Sequence, residues 1–306
     1  MSLKYWIPID NLNIQALCTN SSIETINLLR QINKFHWNEI CSNPSLIDLI
    51  EEIINKEYIN SDKLNWDIIC QNIKSGHLLE YVIEKEGIKS NKLNLFYICS
   101  NPSAIKIIER YMLNEVKYWK CICKNPAAIH LIKNVIENEG MDSIKIDILN
   151  ICENPACGEI IEKIIKYKCI NNKLCWNLIC SNISTSKILE NIINVEGINS
   201  PKLNWWHVCK NSHSVYLVKR VIDEEGFDSK KINWEYLCKN EKAINFIEDL
   251  IKRETIESTK LSWAYLSENP SAFYLLEKEG VNSKKINWYF LSKNPDIFDK
   301  IDYLLK

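Results

Sequence analysis

The chain has little of what builds loops and sheets. Only 7 of its 306 residues are glycine and 8 are proline, which argues against a loop-rich or β-rich protein. Charge of one sign is missing too. Lys and Arg number 38 and Asp and Glu 39, for a formal net charge of -1, so there is no overall attraction to nucleic acid or to an anionic membrane, both of which favour a basic surface. No segment approaches the roughly 18 to 20 apolar residues of a spanning helix. The opening MSLKYWIPIDNLNIQ has no apolar stretch of the kind a secretory signal carries. A soluble, non-secreted, cytoplasmic protein without membrane contact is the expectation.

Familiar chemical motifs are missing as well. There is no Gly-rich phosphate loop, no Cys-x-x-Cys pair and no His-Glu-x-x-His. No Ser, His and Asp grouping stands out, so no catalytic residue, metal site or cofactor is assigned and no enzyme is expected. What the chain does have is 13 cysteines and 10 tryptophans, and their positions are regular.

Aligned on the tryptophans, one unit recurs: Asn, Trp, two variable residues, Leu or Ile, Cys or Ser, one variable residue, Asn. It reads NWDIICQN at 65–72, NWEYLCKN at 233–240 and NWYFLSKN at 287–294. The closing Asn falls at 20, 43, 72, 101, 125, 154, 182, 211, 240, 269 and 294, mostly 28 or 29 residues apart with shorter steps of 23 to 25. Although the length alone suggests about two domains, a fixed period of this size signals stacked repeats. The predicted fold is an all-α solenoid of about eleven helix-turn-helix repeats of 23–29 residues in one domain, 1–306. Residues 1–11 are expected to cap one end, 12–294 to carry the repeats and 295–306 to form a capping helix at the other, since an end repeat otherwise leaves its stacking face wet.

Each unit reads as two helices. In the first, Asn65, Asn94, Asn204, Asn233 and Asn287 precede the Trp position as N-caps. Trp, Leu or Ile, and Cys or Ser then share one face at i, i+3 and i+4. The second helix starts at the closing Asn, followed by Pro in Pro44, Pro102, Pro126, Pro155, Pro270 and Pro295, the pattern of Asn at N-cap with Pro at N1. Its third position is small (Ser75, Ala104, Ala128, Cys157, Thr185, Ser214, Ala243, Ala272), allowing neighbours to approach closely. Gly87, Gly140, Gly197, Gly226 and Gly280 each precede an apolar residue and read as left-handed Schellman stops. Nine cysteines occupy a single repeat position completed by Ser267 and Ser292. Helix spacing of about 8 to 10 Å is too wide for disulfides between equivalent positions, so these are read as buried, reduced core residues.

The string WAYLSENPSAF at 263–273, nearly Trp-x-x-Leu-Ser-x-Asn-Pro-x-Ala-Ile, resembles the short Trp/Asn-Pro helical repeats abundant in proteins of giant DNA viruses. Cysteine versions surround Asn101 and Asn125. The Ile, Asn and Lys bias is similar to that of AT-rich viral genomes. The resemblance covers almost the whole chain. It implies a non-enzymatic protein interaction scaffold of a large DNA virus, in host cytoplasm or virion, with a protein partner.

Two columns are candidate surfaces. The residues one and two places after Trp point away from the core face. Early repeats are mostly polar there (Gln15, Ala16, Asn38, Glu39, Asp67, Ile68), whereas later ones carry Trp206, His207, Tyr236, Tyr265, Tyr289 and Phe290. Aromatics are enriched at binding hot spots, so these six are the candidate partner-binding ridge. The alternative is that the rings pack sideways on adjacent repeats. The second column is Lys34, Lys63, Lys92, Lys145, Lys173, Lys202, Lys231, Lys260 and Lys285, three residues before the Trp position. As a free basic stripe it would suit nucleic acid or an acidic partner. Glu57, Glu86, Glu139, Glu196, Glu225, Glu254 and Glu279 lie six residues before those lysines, however, and mutual neutralisation competes with that reading.

The stretch LNWWHVCKNSH, Leu203 to His213, concentrates two Trp, two His and a Cys. The repeat accounts for Asn204, Trp205, Val208, Cys209 and Asn211. His207 and Cys209, two residues apart, point about 160° apart around a helix and do not converge on a metal. Trp206 and His207 are what the repeat leaves unexplained.

Overall fold

The structure is a computed structural model that describes residues 3–166 and 175–299. Lys173, Cys169 and the last residues of the expected C-terminal cap lie outside the described residues. The chain divides into two compact units, Met1–Asn72 with Trp234–Lys306, and Ile73–Asn233. Each is an all-α stack of helical repeats. Among the described residues the one extended pairing is an isolated antiparallel bridge between Leu3 and Phe298. No described helix is long and apolar enough to cross a membrane.

The first helix of a repeat is short, such as Leu95–Ser100, Trp205–Lys210 or Trp263–Glu268. Several are capped as the sequence suggests, with Asn65, Asn94 and Asn287 accepting from the backbone N–H three residues on. Asn204 departs from this. Its side chain makes no cap bond and donates instead to Asn177 Oδ1 at 2.8 Å. Behind the cap, buried tryptophans fasten the preceding loop: the indole N–H of Trp66 reaches Ile59 O at 2.9 Å, and that of Trp205 reaches Ile198 O at 2.9 Å. A buried indole needs such a partner.

The closing Asn does not cap the second α-helix directly. It opens a 3-10 turn, as at Pro102–Ala104 and Pro270–Ala272, its side chain accepting from the N–H two residues on, and the α-helix follows (Ile105–Tyr111, Phe273–Glu279). The tighter turn places the small third residue, such as Ala104, Ala128 or Ala272, fully inside. The helix stops also differ from the expected left-handed form. Gly87, Gly140, Gly197, Gly226 and Gly280 have φ of 74 to 87°, but ψ near 180°, as at Gly197 with 175°. Each closes with an N–H to the carbonyl four residues back, Gly197 to Ile193. That extended mirror region is essentially reserved for glycine. Tyr58 (φ 62, ψ 178) and Thr255 (φ 72, ψ 172) nevertheless occupy it.

Stacking within each unit uses one ladder. The side-chain amide of Asn154 donates to Cys123 O and Asn125 O, both at 2.9 Å, and that of Asn211 to Cys180 O at 3.0 Å and Asn182 O at 2.9 Å. Each such Asn is buried and joins the end of the preceding repeat's first helix to its own turn. The Cys or Ser column adds a second rung. The N-cap N–H of the next repeat donates to it, as Asn204 N to Cys180 Sγ at 3.3 Å and Ser262 N to Cys238 Sγ at 3.3 Å. Ser267 Oγ takes the same bond from Asn287 N at 3.1 Å. Cys and Ser therefore interchange because both are small and both accept. Two further glycines mark close approach: a Cβ on Gly76 would sit 2.1 Å from Ser103 O, and one on Gly158 2.4 Å from Ser184 O.

In the first unit the ladder also joins the two ends of the described chain. Asn20 Nδ2 donates to Ser292 O at 3.0 Å and Asn294 O at 2.8 Å, and Asn13 N donates to Ser292 Oγ at 2.8 Å. Repeat 1 thus stands on repeat 11 as any repeat stands on its predecessor. Residues ahead of it add Lys4 N to Ile297 O at 2.9 Å and a tilted Trp6–Phe273 ring contact at 5.6 Å. The described parts of the segments 1–11 and 295–306, expected to shield separate ends, cover each other.

Candidate binding surface

The two variable positions of the first helix face outward because the i, i+3, i+4 positions are taken by the core. In repeats 9 to 11 of the first unit they form a cluster. Tyr265 and Phe290 are tilted with centroids 5.6 Å apart, and Tyr289 meets Phe290 edge-on at 5.4 Å. Tyr289 is 42% exposed, while Tyr236, Tyr265 and Phe290 are half-buried. Rings of this column pack sideways on one another here. Phe290 is clasped between its neighbours, and Tyr289 is held up by that clasp.

Cations line this cluster. Lys293 Nζ lies 4.5 Å from the Tyr289 ring centroid and 5.4 Å from that of Phe290, and Lys239 Nζ lies 5.6 Å from Tyr265. Lys239 also pairs with Glu268 at 3.3 Å. Both lysines sit one residue before a closing Asn, at the C-terminal end of a first helix, where positive charge meets the helix dipole favourably. The same two side chains, with Thr19, Ser21, Glu241, Glu268, Pro270 and Pro295, line a depression of about 440 Å³. Thr19 and Ser21 reach it only because repeat 1 stands on repeat 11.

In the second unit Trp206 is 57% exposed. His207 is half-buried and bonds the Ser181 hydroxyl through Nδ1 at 2.6 Å. Burial, and then the charge of Lys210, hold its pKa below the usual histidine value, so at neutral pH it is an uncharged ring locked to its neighbour. Two exposed aromatics in the same columns, Phe96 and Tyr97, escaped the sequence reading. Phe96 meets Tyr118 edge-on at 5.3 Å. Their signal was the column itself, masked because repeat 4 has Leu95 where other repeats have Trp.

The lysine column is paired. Lys92 meets Glu86 at 2.7 Å, Lys145 meets Glu139 at 2.6 Å, and Lys285 meets Glu279 at 3.0 Å and Glu257 at 2.6 Å. Lys63 with Glu57, Lys202 with Glu196, Lys231 with Glu225 and Lys260 with Glu254 are joined likewise. A third residue, unnoticed in the sequence, completes each: Ser90, for example, donates to Glu86 Oε2 at 2.5 Å and accepts from Lys92 N at 3.2 Å. The motif is Glu-x-x-x-Ser-x-Lys. Lysine first, then serine, holds Glu57, Glu86, Glu139, Glu196 and Glu225 below the ordinary carboxylate value. Several of these lysines also lie over the Trp of the repeat before, as Lys285 over Trp263 at 5.1 Å and Lys145 over Trp119 at 5.5 Å.

Burial pushes the column thiols up, Cys99 to about 12 and Cys123, Cys180, Cys209 and Cys238 to about 11. At neutral pH they are thiols engaged in stacking and not nucleophiles. Among the described residues no group of three His, Cys, Asp or Glu side chains is placed to hold a metal ion. Compared with family models, with curated proteins and with solved structures, the chain gives no match.

Proposed function

We propose that the protein is a non-enzymatic scaffold that binds a protein partner through the aromatic and lysine surface of repeats 9 to 11. The observation that carries this reading is the cluster of Tyr265, Tyr289 and Phe290 with Lys239 and Lys293 at its rim. Rings braced by their neighbours lose little side-chain freedom on binding, and a cationic rim adds orientation to apolar contact. Trp206 offers a second exposed aromatic anchor on the other unit. The repeat string adds the reading that this is a protein of a large DNA virus, acting in host cytoplasm or in the particle.

Tyr289→Ala combined with Lys293→Ala tests the surface, because both side chains leave the stacking ladder untouched. Pull-down from the producing cells is expected to lose its specific partner while the far-ultraviolet spectrum and melting temperature stay close to the parent. Undiminished recovery by the folded variant removes the proposal. The lysine column as a nucleic-acid or acidic-partner site is the weaker reading, since Lys63, Lys92, Lys145, Lys202, Lys231, Lys260 and Lys285 are each paired to a glutamate. A gel shift at low salt separates the two, for phosphate contacts give steeply salt-dependent binding.

A further inference from the structure

The contact of repeat 1 on repeat 11 differs from the other ladder contacts in its tether. Internal neighbours are tethered by a short loop, so their ladder bonds reform as soon as they break. Asn20 and its acceptor Ser292 are 272 residues apart in the chain, and no short connection holds them together. The chemistry of the two faces is nevertheless complete and specific. One face presents the Asn20 amide and the Asn13 N–H. The other presents the carbonyls of Ser292 and Asn294 and the Ser292 hydroxyl. Lys4 N to Ile297 O and the Leu3–Phe298 bridge extend the seam beyond the ladder.

From this we infer that the seam is an exchangeable interface whose alternative occupant is a second copy of this chain: repeat 1 of one copy stands on repeat 11 of the other, and the reverse, in a swapped dimer. The faces recognise each other by bonds that do not depend on being in one chain, which is the condition for swapping identical elements between protomers. The partner is identified by the seam's own donors and acceptors: other repeats carry the same paired amide and N–H, but theirs are engaged by a loop-tethered neighbour, so the element that another copy can release to fill this face is its repeat 1. In the folded monomer the two faces satisfy each other, so exchange needs the seam to open and the concentration to compete with the intramolecular contact. The inference stands independently of the binding surface on repeats 9 to 11.

Cysteines placed across the bridge test it. Lys4 N bonds Ile297 O, which makes Leu3 and Phe298 a non-hydrogen-bonded pair. The Cα atoms of such a pair lie about 4.5 Å apart, within disulfide range. Leu3→Cys and Phe298→Cys are made in separate chains, mixed at about 500 μM, below the millimolar effective concentration typical of a linked pair, and oxidised mildly. A disulfide-linked heterodimer is the expected product, and the doubly substituted chain, closed at low concentration first, is expected to stay monomeric under the same incubation. Adding Asn20→Asp, which keeps the turn acceptor and loses the amide donor, weakens the seam of monomer and swapped dimer alike but speeds its opening, so the initial rate of heterodimer formation should rise about tenfold. Asn154→Asp, the internal counterpart, should not raise it. The inference is overturned if the mixture yields no heterodimer, if either single variant alone dimerises as readily, or if the closed chain dimerises equally.

Discussion

Repeat 1 on repeat 11 and repeat 6 on repeat 5 are built from one set of bonds, yet they differ in tether and in one atom. At the internal contact Asn154 bonds Cys123 O and Asn125 O, and the next N-cap N–H, that of Asp147, reaches Cys123 sulfur at 3.5 Å. At the seam Asn20 makes the same pair of bonds, but the N-cap N–H of Asn13 reaches the Ser292 oxygen at 2.8 Å. Oxygen is the better acceptor, sulfur the weaker one. The contact that lacks a short tether thus carries the shorter bond. The same ladder bonds form with and without a short connection between the repeats.

The largest expected effect breaks that comparison directly. Asn154→Leu strands two buried carbonyls and the Ala156 N–H, at about 1 to 3 kcal/mol for each unsatisfied group, so a loss of about 3 kcal/mol or more is expected in urea melts. Asn20→Leu strands the equivalent groups at the seam, where opening lets water reach them, and should cost less than half as much. Equal costs would show that the seam is as closed as an internal contact.

Close approach sharpens the internal side. Gly158→Ala drives a Cβ to 2.4 Å from Ser184 O, a backbone atom, and is expected to cost about 1 to 3 kcal/mol, the range for overpacking. An unchanged melting temperature would mean that the repeats part more easily than their geometry implies.

The helix stops give the next contrast, with the opposite sign. The second unit uses Gly87, Gly140, Gly197 and Gly226, while the first keeps Tyr58 and Thr255 at positive φ beside Gly280. Tyr58→Gly and Thr255→Gly should each stabilise by about 1 kcal/mol, because strain in this region exceeds the entropy cost of glycine. Destabilisation by both would show that these side chains repay their strain through contacts.

The smallest effect concerns the ion pairs, which both units share. The folded-state pKa of Glu225 lies below 4.5 because of Lys231 and then Ser229. Its contribution to stability is therefore complete above the unfolded value and is lost as pH falls through the folded one. Urea midpoints measured from pH 7 down to 3 should decline less steeply for Glu225→Gln than for the parent. The two slopes coincide only if the pair contributes nothing.

The periodicity was legible because stacking commits the same positions in every repeat. Trp205, Val208 and Cys209 are buried as their spacing requires, and five glycines fall at helix stops with positive φ. The second duty of the closing Asn was not legible. One amide both caps its own turn and bonds the previous repeat, and spacing along the chain records only the first. Gly76 and Gly158 were silent for the same reason, since the carbonyl that forbids their Cβ belongs to the next repeat. At the aromatic cluster of repeats 9 to 11 the residue types were readable, but the clasp of Phe290 between Tyr265 and Tyr289 depended on neighbours that sequence order does not position.

By itself, the order of residues determined the all-α repeat, its register and its buried columns, because helical periodicity and capping are local and each repeat restates them. Tertiary structure alone decided which partners satisfy the Asn amides and the column of Cys and Ser, which lysines are neutralised, and that repeat 1 stands on repeat 11. Apart from the lysine–glutamate pairs, six residues apart along the chain, those outcomes rest on hydrogen bonds between segments 20 to 279 residues apart, and at that range a pattern of residue types does not specify geometry.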